Sequence, residues 1–394
     1  MKTNKSIYLD HAAATPLNPA VLTAMQPYLG AEFANPSSLY AAARETRLAV
    51  EASRADIANV LGAKPTEIIF TSGGTEGNNL AIQGVLRAHP GAHWITSAIE
   101  HDAVLGCVEA LKREGHAATI VPVQPSGTVA LQAIGTAITD TTVLVSVMLA
   151  NNEIGTIQPV ADVAKLLAVV RADRAKRGVT LPLYLQTDAV QAANYLDLHV
   201  ARLGVDLLTL NGSKIYGPKG TGALYVRHGT VLEPLMYGGG QERGRRSGTE
   251  NVAGIVGLAA ALKLAATTRD AESHRLTLLR DQLAAELTAT IPGVILNGHP
   301  RHRLPNNLNL TIPGAEGEAL VLYLDNAGIQ ASTGSACSTG NLDPSHVLLA
   351  LGRTPAEANA SLRLTLGRST DANAVAVVAE KLPPIVARLR ELQL

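Results

Sequence analysis

Several short segments of this chain place a chemically active side chain directly after an apolar run. In "FTSGGTEGNN" (70–79), small residues and Thr75 follow such a run and open a helical pattern. Backbone N–H groups at a helix start can bind an anion, so Gly74 and Thr75 are candidates for a phosphate cradle. The segment has neither the Walker A nor the G-x-G-x-x-G pattern, and an ordinary strand-to-helix turn fits it equally well.

Two further strand ends carry a histidine and an aspartate. His101 in "SAIEHDAVL" (97–105) is either a surface or capping residue or a functional one. Asp188 in "LYLQTDAVQAA" (183–193) is either a helix cap or a partner for a buried cation, and a protonated heterocyclic nitrogen is such a cation. Gln191 follows about one helical turn later.

A lysine lies in the Gly-rich turn of "TLNGSKIYGPKGTGALYV" (209–226). Lys214 directly follows a strand, where desolvation or cationic neighbours lower the pKa of an amine and let it form an imine with a carbonyl. Lys219 lies in the same turn, and composition alone does not choose between the two.

The chain has two cysteines and a cluster of three arginines. Cys107 lies among the apolar positions of a helical pattern, which indicates a buried, inert thiol. Cys337 stands in "ASTGSACSTGNLDPS" (331–345), whose small and polar residues indicate a loop; without other motifs it would be an ordinary loop thiol. The arginines lie in "YGGGQERGRRSGTEN" (237–251), which is either solvated surface or a loop that reaches a phosphate across an interface.

One hypothesis uses these segments together. A phosphate cradle, a histidine that stacks on a ring, an aspartate for a pyridinium nitrogen and an imine-forming lysine describe a pyridoxal-phosphate site. No single residue carries the hypothesis; the ordered set does.

The elements that must position these residues alternate between short apolar runs and helix-period segments, which is typical of an α/β fold with a mostly parallel sheet. Ligands of such sheets lie beyond the carboxyl ends of the strands. Seven runs predict strands, at 67–73, 93–99, 118–123, 142–149, 181–189, 205–212 and 221–227. Helices are predicted at 76–89, 159–177, 252–290, 316–327 and 371–392.

Bulk properties narrow the class of protein. A chain of 394 residues predicts two domains, which we place at 15–255 for the large domain and at 1–14 with 256–394 for a smaller α+β domain that carries the cysteine loop. Lys+Arg and Asp+Glu both number 33, which argues against a nucleic-acid or membrane partner held by bulk charge. No metal-ligand spacing is present, and no signal peptide or apolar run of about 20 residues, so we expect a cytoplasmic protein.

The chain also resembles the NifS/IscS-like cysteine desulfurases of the class-V aminotransferase group, from "YLDHAAATPLNP" to "SLRLTLGR" (361–368). Between these ends lie "NPSSLY", "FTSGGTEGNNLAI", "EHDAVL", "NNEIGTIQP", "TDAVQ", "KIYGPKGTGALYV", "GGGQERGRRSGT" and "STGSACSTG". The resemblance implies the fold-type-I homodimer with pyridoxal 5'-phosphate, a seven-stranded large domain and a smaller α+β domain. It also implies removal of sulfur from L-cysteine, which leaves L-alanine and a persulfide on the enzyme.

The resemblance assigns a role to each candidate. Lys214, not Lys219, would bind the cofactor covalently, and Cys337 would take the sulfur. The cofactor's ring and phosphate would be held by Gly74, Thr75, His101, Asp188, Gln191, Asn211, Ser213 and, from the other subunit, Thr249. Asn152 and Arg363 would bind the substrate carboxylate, although a structural ion pair is the alternative for Arg363. A flexible tether for Cys337 would come from Gly334, Ser335, Ser338, Thr339 and Gly340.

Two departures and two rival functions accompany the resemblance. Asn211-Gly212-Ser213 stands where the family usually has Ser-Gly-His, so we expect cofactor binding to persist through hydrogen bonds from the replacements. The chain ends at "LRELQL", without the extension that docks an iron–sulfur scaffold protein, so the sulfur acceptor stays open between a scaffold and a tRNA-thiolation enzyme. The rivals are a selenocysteine lyase or other class-V enzyme, and a non-catalytic binding subunit.

Overall fold

The structure is a computed structural model that describes residues 6–334 and 343–392. Cys337 lies outside the described residues, as do Ser335, Ser338, Thr339 and Gly340. The roles predicted for these five residues therefore remain predictions.

A seven-stranded sheet forms the centre of the larger part of the molecule. Its strands are β2 (Ile68–Thr71), β3 (His93–Ser97), β4 (Ala117–Val121), β5 (Thr142–Ser146), β6 (Tyr184–Asp188), β7 (Leu207–Asn211) and β8 (Gly222–Val226). They pair in the order β2-β8-β7-β6-β5-β3-β4, and only β8 runs antiparallel to its neighbours. The seven predicted strands and the mostly parallel sheet are confirmed.

The smaller sheets are antiparallel or very short. A three-stranded sheet joins β9 (Ile295–Leu296), β10 (Asn307–Thr311) and β12 (Ser361–Thr365), with β10 in the middle. A second, parallel pair joins β1 (Ile7–Tyr8) to β11 (Ile329–Gln330). The amino-terminal segment thereby packs with the carboxyl-terminal third of the chain.

Twelve α-helices surround the sheets in the described part of the chain. They are α1 (Pro19–Met25), α2 (Ala41–Leu61), α3 (Gly74–Arg87), α4 (Asp102–Arg113), α5 (Leu131–Ala137), α6 (Val160–Lys176), α7 (Val200–Leu203), α8 (Val252–Thr290), α9 (Gly317–Asn326), α10 (His346–Ala350), α11 (Pro355–Asn359) and α12 (Ala372–Leu392). The helices predicted at 76–89, 159–177, 252–290, 316–327 and 371–392 are confirmed to within two residues at their ends.

Helix α8 contributes to two hydrophobic cores. Its first half buries Leu258 and Leu262 in the core of the seven-stranded sheet. Its second half buries Leu276 and Leu283 in the core of the three-stranded sheet, where Leu9 of the amino-terminal segment also packs. The predicted domain division near residue 255 stays a prediction, since this helix runs across it without a break.

By length and composition alone, α8 could also cross a membrane, although its sequence contains no unbroken run of about 20 apolar residues. Half of its most apolar stretch is buried inside the protein, and the helix packs along both cores. A core helix meets the same criteria of length and apolarity as a membrane span. These contacts identify α8 as a core helix.

Candidate active site

The carboxyl ends of the parallel strands meet at one edge of the large sheet, and a cavity of about 380 Å³ opens there. Five strand ends contribute to it because parallel strands finish at the same edge. Most of the sequence-predicted residues line this cavity, namely Gly74, Thr75, His101, Asn152, Asp188, Gln191, Asn211, Lys214, Gly334 and Arg363. A cavity of this size suits a small cofactor with a small substrate.

Lys214 ends a short turn, Gly212–Lys214, that follows β7 directly. Its amine donates to the Ala13 carbonyl, and its own carbonyl accepts a hydrogen bond of 2.7 Å from the Asn194 amide. Lys219, by contrast, is exposed. The geometry therefore brings Lys214 to the cavity.

The backbone beside Lys214 is strained. Tyr216 has φ of 61°, in the left-handed region that a bulky side chain rarely adopts. Its N–H donates to the Thr15 hydroxyl at 2.7 Å, and the Thr15 N–H donates to the Ser213 carbonyl at 3.0 Å. The segment after β1 thus clamps the lysine turn and holds the strained residue in place.

The start of α3 provides the anion end of the site. Its cap is Gly73, and no side chain caps the helix, so the first N–H groups have no side-chain acceptor. A methyl group on Gly74 would lie 2.8 Å from Val190, which explains why a glycine is needed for this close approach. A second cleft, of about 310 Å³, is lined here by Gly73, Gly74, Thr75, Asn211 and Ser213, among others.

The departure at Asn211 and Ser213 has a local structural role. The Asn211 side-chain oxygen accepts from the Ser213 N–H at 3.0 Å and from its hydroxyl at 3.1 Å. This pair shapes the turn that presents Lys214, and both side chains face the second cleft. Their predicted phosphate contacts remain predictions.

His101 both caps a helix and lines the cavity. Its Nδ1 accepts a hydrogen bond of 3.0 Å from the Ala103 N–H at the start of α4. Because Nδ1 accepts, the neutral ring carries its proton on Nε2. The capping role that sequence reasoning offered as an alternative is therefore compatible with the functional one.

Asp188 ends β6 and is 93% buried, with 7% of its surface exposed. One carboxylate oxygen accepts from the Asn78 amide at 2.6 Å, and the other accepts from the Val190 N–H at 2.9 Å. Gln191, one turn on, donates its amide to the Ala12 carbonyl at 3.0 Å. Sequence reasoning missed Asn78, although it lies four residues after Gly74 and so on the same face of α3.

Arg363 lies in the middle of β12 and is nearly fully buried, with 2% of its surface exposed. One of its terminal nitrogens pairs with Asp10 at 2.8 Å, so the ion pair that was the alternative to a carboxylate-binding role is present. Its other terminal nitrogen donates to the carbonyls of Asn152 and Gly334, at 3.1 and 3.2 Å. Among residues 6–334 and 343–392 its buried Nε has no hydrogen-bond partner, which leaves one donor for a further acceptor.

Consecutive carbonyls of the segment 152–155 are held by the part of the chain that follows α8. The Glu153 carbonyl accepts from Asn307 and Asn309, each at 3.2 Å. The next two carbonyls accept from the Arg303 side chain at 3.1 Å and from the Leu304 N–H at 2.8 Å. These bonds fix the backbone that presents the Asn152 side chain to the cavity.

Glu100, beside His101, is fully buried, and burial raises the pKa of its carboxyl to about 8. One oxygen accepts from the Ser97 hydroxyl at 2.6 Å and from the Met148 N–H at 2.9 Å, whereas the other is buried without a partner. Burial therefore favours the neutral form of this carboxyl. Its place beside a buried strand in "SAIEHD" was the available sequence signal, and it was missed.

The remaining candidates lie away from the cavity. Thr249 is exposed, in the loop between β8 and α8. Two ion pairs fasten this loop to helices α3 and α2: Arg246 to Glu76 at 2.9 Å, and Glu242 to Arg54 at 2.7 Å. Cys107 is buried as predicted, and burial raises the pKa of its thiol to about 11, so it stays protonated.

Within residues 6–334 and 343–392, no cluster of side chains is arranged to hold a metal ion.

Comparison with known proteins agrees with this fold. The family described as aminotransferase class-V matches residues 7–378. A cysteine desulfurase IscS of Dictyoglomus turgidum is 46% identical over 388 residues, which cover 98% of this chain and 96% of that protein. A solved NifS-like protein superposes with a TM-score of 0.88 at 32% identity and covers 97% of this chain and all of that one. A structure of SspA in complex with cysteine gives a TM-score of 0.78 at 35% identity, over 92% and 99% of the two chains.

The chain therefore belongs to the class-V aminotransferase family, whose members have the fold of type-I pyridoxal-phosphate enzymes. Within that family it is a member of the NifS/IscS-like cysteine desulfurase group, as the resemblance predicted.

Proposed function

We propose that this chain is a pyridoxal-phosphate-dependent cysteine desulfurase that converts L-cysteine to L-alanine and carries the sulfur as a persulfide on Cys337. The observation that carries the proposal is the cavity itself. Lys214, His101 and Asp188 line it together with a carboxylate-binding pair, Asn152 and Arg363. The curated relative with this activity, at 46% identity over almost the whole chain, supports the same function.

The described residues fit the cofactor at both of its ends. The uncapped start of α3 offers N–H groups and a glycine backbone to a phosphate. Asp188 offers a buried acceptor to a protonated ring nitrogen, Gln191 lies beside it, and Lys214 offers the amine for covalent attachment. When bound, the cofactor supplies an electron sink for breaking bonds at the substrate's α-carbon.

The remaining residues act on the substrate. Arg363 and Asn152 bind its carboxylate, for which the unpartnered Nε of Arg363 is suited because a guanidinium binds a carboxylate by two parallel hydrogen bonds. In the proposed reaction, Lys214 and His101 move protons at the α-carbon and at the sulfur. Cys337 attacks the substrate sulfur as a thiolate, and the new sulfur–sulfur bond makes the persulfide. The carbon–sulfur bond breaks with its electron pair left on the β-carbon, and a proton added there completes alanine.

The described residues that flank the Cys337 segment lie at or beside this cavity. Gly334 lines the cavity, and a chain extends at most about 3.5 Å per residue, so three residues span about 10 Å. The other side of the cysteine segment is also fastened here, because the Ser345 hydroxyl donates to Glu153 at 2.6 Å. These two flanks support the proposal that Cys337 reaches the substrate.

We further propose that the enzyme is a cytoplasmic homodimer in which Thr249 reaches the phosphate of the partner's site. Large apolar side chains are exposed on the protomer, among them Phe33 at 85%, Leu39 at 86% and Tyr237 at 81%. Where such side chains form one contiguous patch, a protein interface is expected to cover them. The sulfur acceptor stays open between an iron–sulfur scaffold and a tRNA-thiolation enzyme.

The covalent attachment tests the cofactor role. The purified protein is incubated with pyridoxal phosphate, reduced with borohydride and digested, and the modified peptide is identified by mass. We expect the adduct on Lys214, its loss in Lys214→Ala and its retention in Lys219→Ala. An adduct that persists in Lys214→Ala, or no adduct in the wild type, would refute the proposal.

A further inference from the structure

A buried line of hydrogen bonds leads to Asp188 from the interior of the sheet. The Ser146 hydroxyl donates to the Gln186 side-chain oxygen, and the Gln186 amide donates to the Asn78 oxygen at 3.0 Å. The Asn78 amide then donates to Asp188 at 2.6 Å. Ser146, Gln186 and Asn78 are at most 1% exposed, so water does not replace these bonds.

The secondary structure explains why these four side chains meet. Gln186 and Asp188 are two residues apart on β6 and so share one face of the sheet. Ser146 is paired with Gln186 in the register of β5 and β6. Asn78 lies on α3, which covers this face and contacts both β6 residues.

Glycines let α3 approach the sheet closely enough for a side chain as short as asparagine to reach. A methyl group on Gly77, the residue before Asn78, would lie 2.7 Å from Thr209 of β7. One on Gly74 would lie 2.8 Å from Val190. The positions of Asn78 and Asp188 are thus set by backbone packing as well as by their own hydrogen bond.

The line of bonds has a direction. Each amide accepts on the side of Ser146 and donates on the side of Asp188, so the last group must accept. A proton on the Asp188 oxygen that faces Asn78 would put two donors opposite each other unless Asn78 and then Gln186 turned over. The other Asp188 oxygen also accepts, from the Val190 N–H at 2.9 Å.

We propose that Ser146, Gln186 and Asn78 are positioning residues whose one-way hydrogen-bond relay keeps Asp188 an acceptor for the protonated ring nitrogen of the cofactor. The proposal rests on the function proposed above, since it concerns the same site. Asn78 also lines the cavity, beside Asp188. In the proposed role Asp188 contacts the ring nitrogen, and the three other residues act through it.

Two measurements test the relay. Cofactor affinity is obtained by titrating pyridoxal phosphate while following the fluorescence of Trp94, the single tryptophan of the chain. The second measurement is the pH midpoint of the visible band of the lysine-bound cofactor. A positive ring nitrogen disfavours a second positive charge on the lysine nitrogen, so weaker support of the ring charge raises this midpoint.

The variants are expected to form a graded series. Asn78→Ala should weaken affinity about 10-fold or more and raise the midpoint by about one pH unit, as expected for loss of a hydrogen bond to a charged group. Gln186→Glu, a change of equal size, should alter affinity and midpoint in the same direction by a smaller amount. Ser146→Ala should alter them least. Thr209→Val is the matched control, because its buried hydroxyl packs beside α3 without a hydrogen-bond partner, and it should resemble the wild type.

Each result of these measurements either supports or overturns the proposed relay. Wild-type affinity and midpoint in both Asn78→Ala and Gln186→Glu would overturn the relay, and so would equal changes in Thr209→Val. If Asn78→Ala does not fold, as judged by circular dichroism, Gln186→Glu and Ser146→Ala decide by the same criteria. A wild-type protein that binds no cofactor would instead refute the proposed function.

Discussion

The two ends of the cavity are built in different ways. The end that holds Lys214, His101 and Asp188 consists of turns that directly follow strands of one sheet. The end that holds Arg363 is assembled from remote segments, since its ion-pair partner, Asp10, is 353 positions away in the chain. The first end depends on local sequence and the second on the packing of the amino-terminal segment between the two cores.

The largest expected effect is a pH dependence of the free energy of unfolding. It comes from Glu100, which lies beside His101 at the end of the cavity built from strand ends. The pKa of Glu100 rises from 4.5 to about 8 on folding. At pH values between these two, the folded state therefore binds one more proton than the unfolded state. The free energy of unfolding should therefore fall as pH rises from about 5 to 8, by on the order of 3 kcal/mol. Urea unfolding at several pH values measures this slope, which Glu100→Gln should remove; an unchanged slope in that variant would contradict the assignment.

At the assembled end, Arg363→Ala should lower kcat/KM for cysteine about 100-fold. The change removes the carboxylate-binding group and leaves the Asp10 carboxylate without its cation. Steady-state alanine production measures the effect, and cofactor affinity serves as the control because the strand-end region keeps its contacts. If Arg363→Ala weakened cofactor binding as much as it lowered kcat/KM, the two ends of the cavity would not be independent.

Gly367→Ala tests how tightly the amino-terminal segment is packed. A methyl group there would lie 2.2 Å from the ring of His11, which is buried beside Tyr216. We expect destabilisation by about 2 kcal/mol, from overpacking. Thermal unfolding measures it, and Gly106→Ala is the matched control, because that position has open space and lies on α4. A stable Gly367→Ala with unchanged activity would contradict the tight packing.

Asp10→Asn should have the smallest effect of the series. The substitution keeps the shape but removes the charge that orients Arg363. We expect KM for cysteine to rise about 10-fold with little change in kcat, because the hydrogen bond to the guanidinium persists in weaker form. A change confined to kcat would indicate that Asp10 acts in the chemical step instead.

The same comparison explains what the sequence could predict. The strand ends were located because apolar runs followed by glycines and polar residues mark the edge of a parallel sheet, as at Asp188 and Lys214. The choice between Lys214 and Lys219 came only from the family resemblance. The pairing of Arg363 with Asp10 has no local signal, because nothing in either segment shows that β12 and the amino-terminal segment pack together. Asn78 was missed for a related reason, since its role depends on how closely α3 approaches β6.

The central claim is that Cys337 takes sulfur from a cysteine bound beside Lys214. Its most direct test is the mass of the peptides that contain Cys337 and Cys107 after incubation of the cofactor-loaded enzyme with L-cysteine. The account predicts one added sulfur atom on the Cys337 peptide and none on the Cys107 peptide, with no sulfur added in Lys214→Ala. An unmodified Cys337 peptide while alanine accumulates, or undiminished sulfur release by Cys337→Ser, would contradict it.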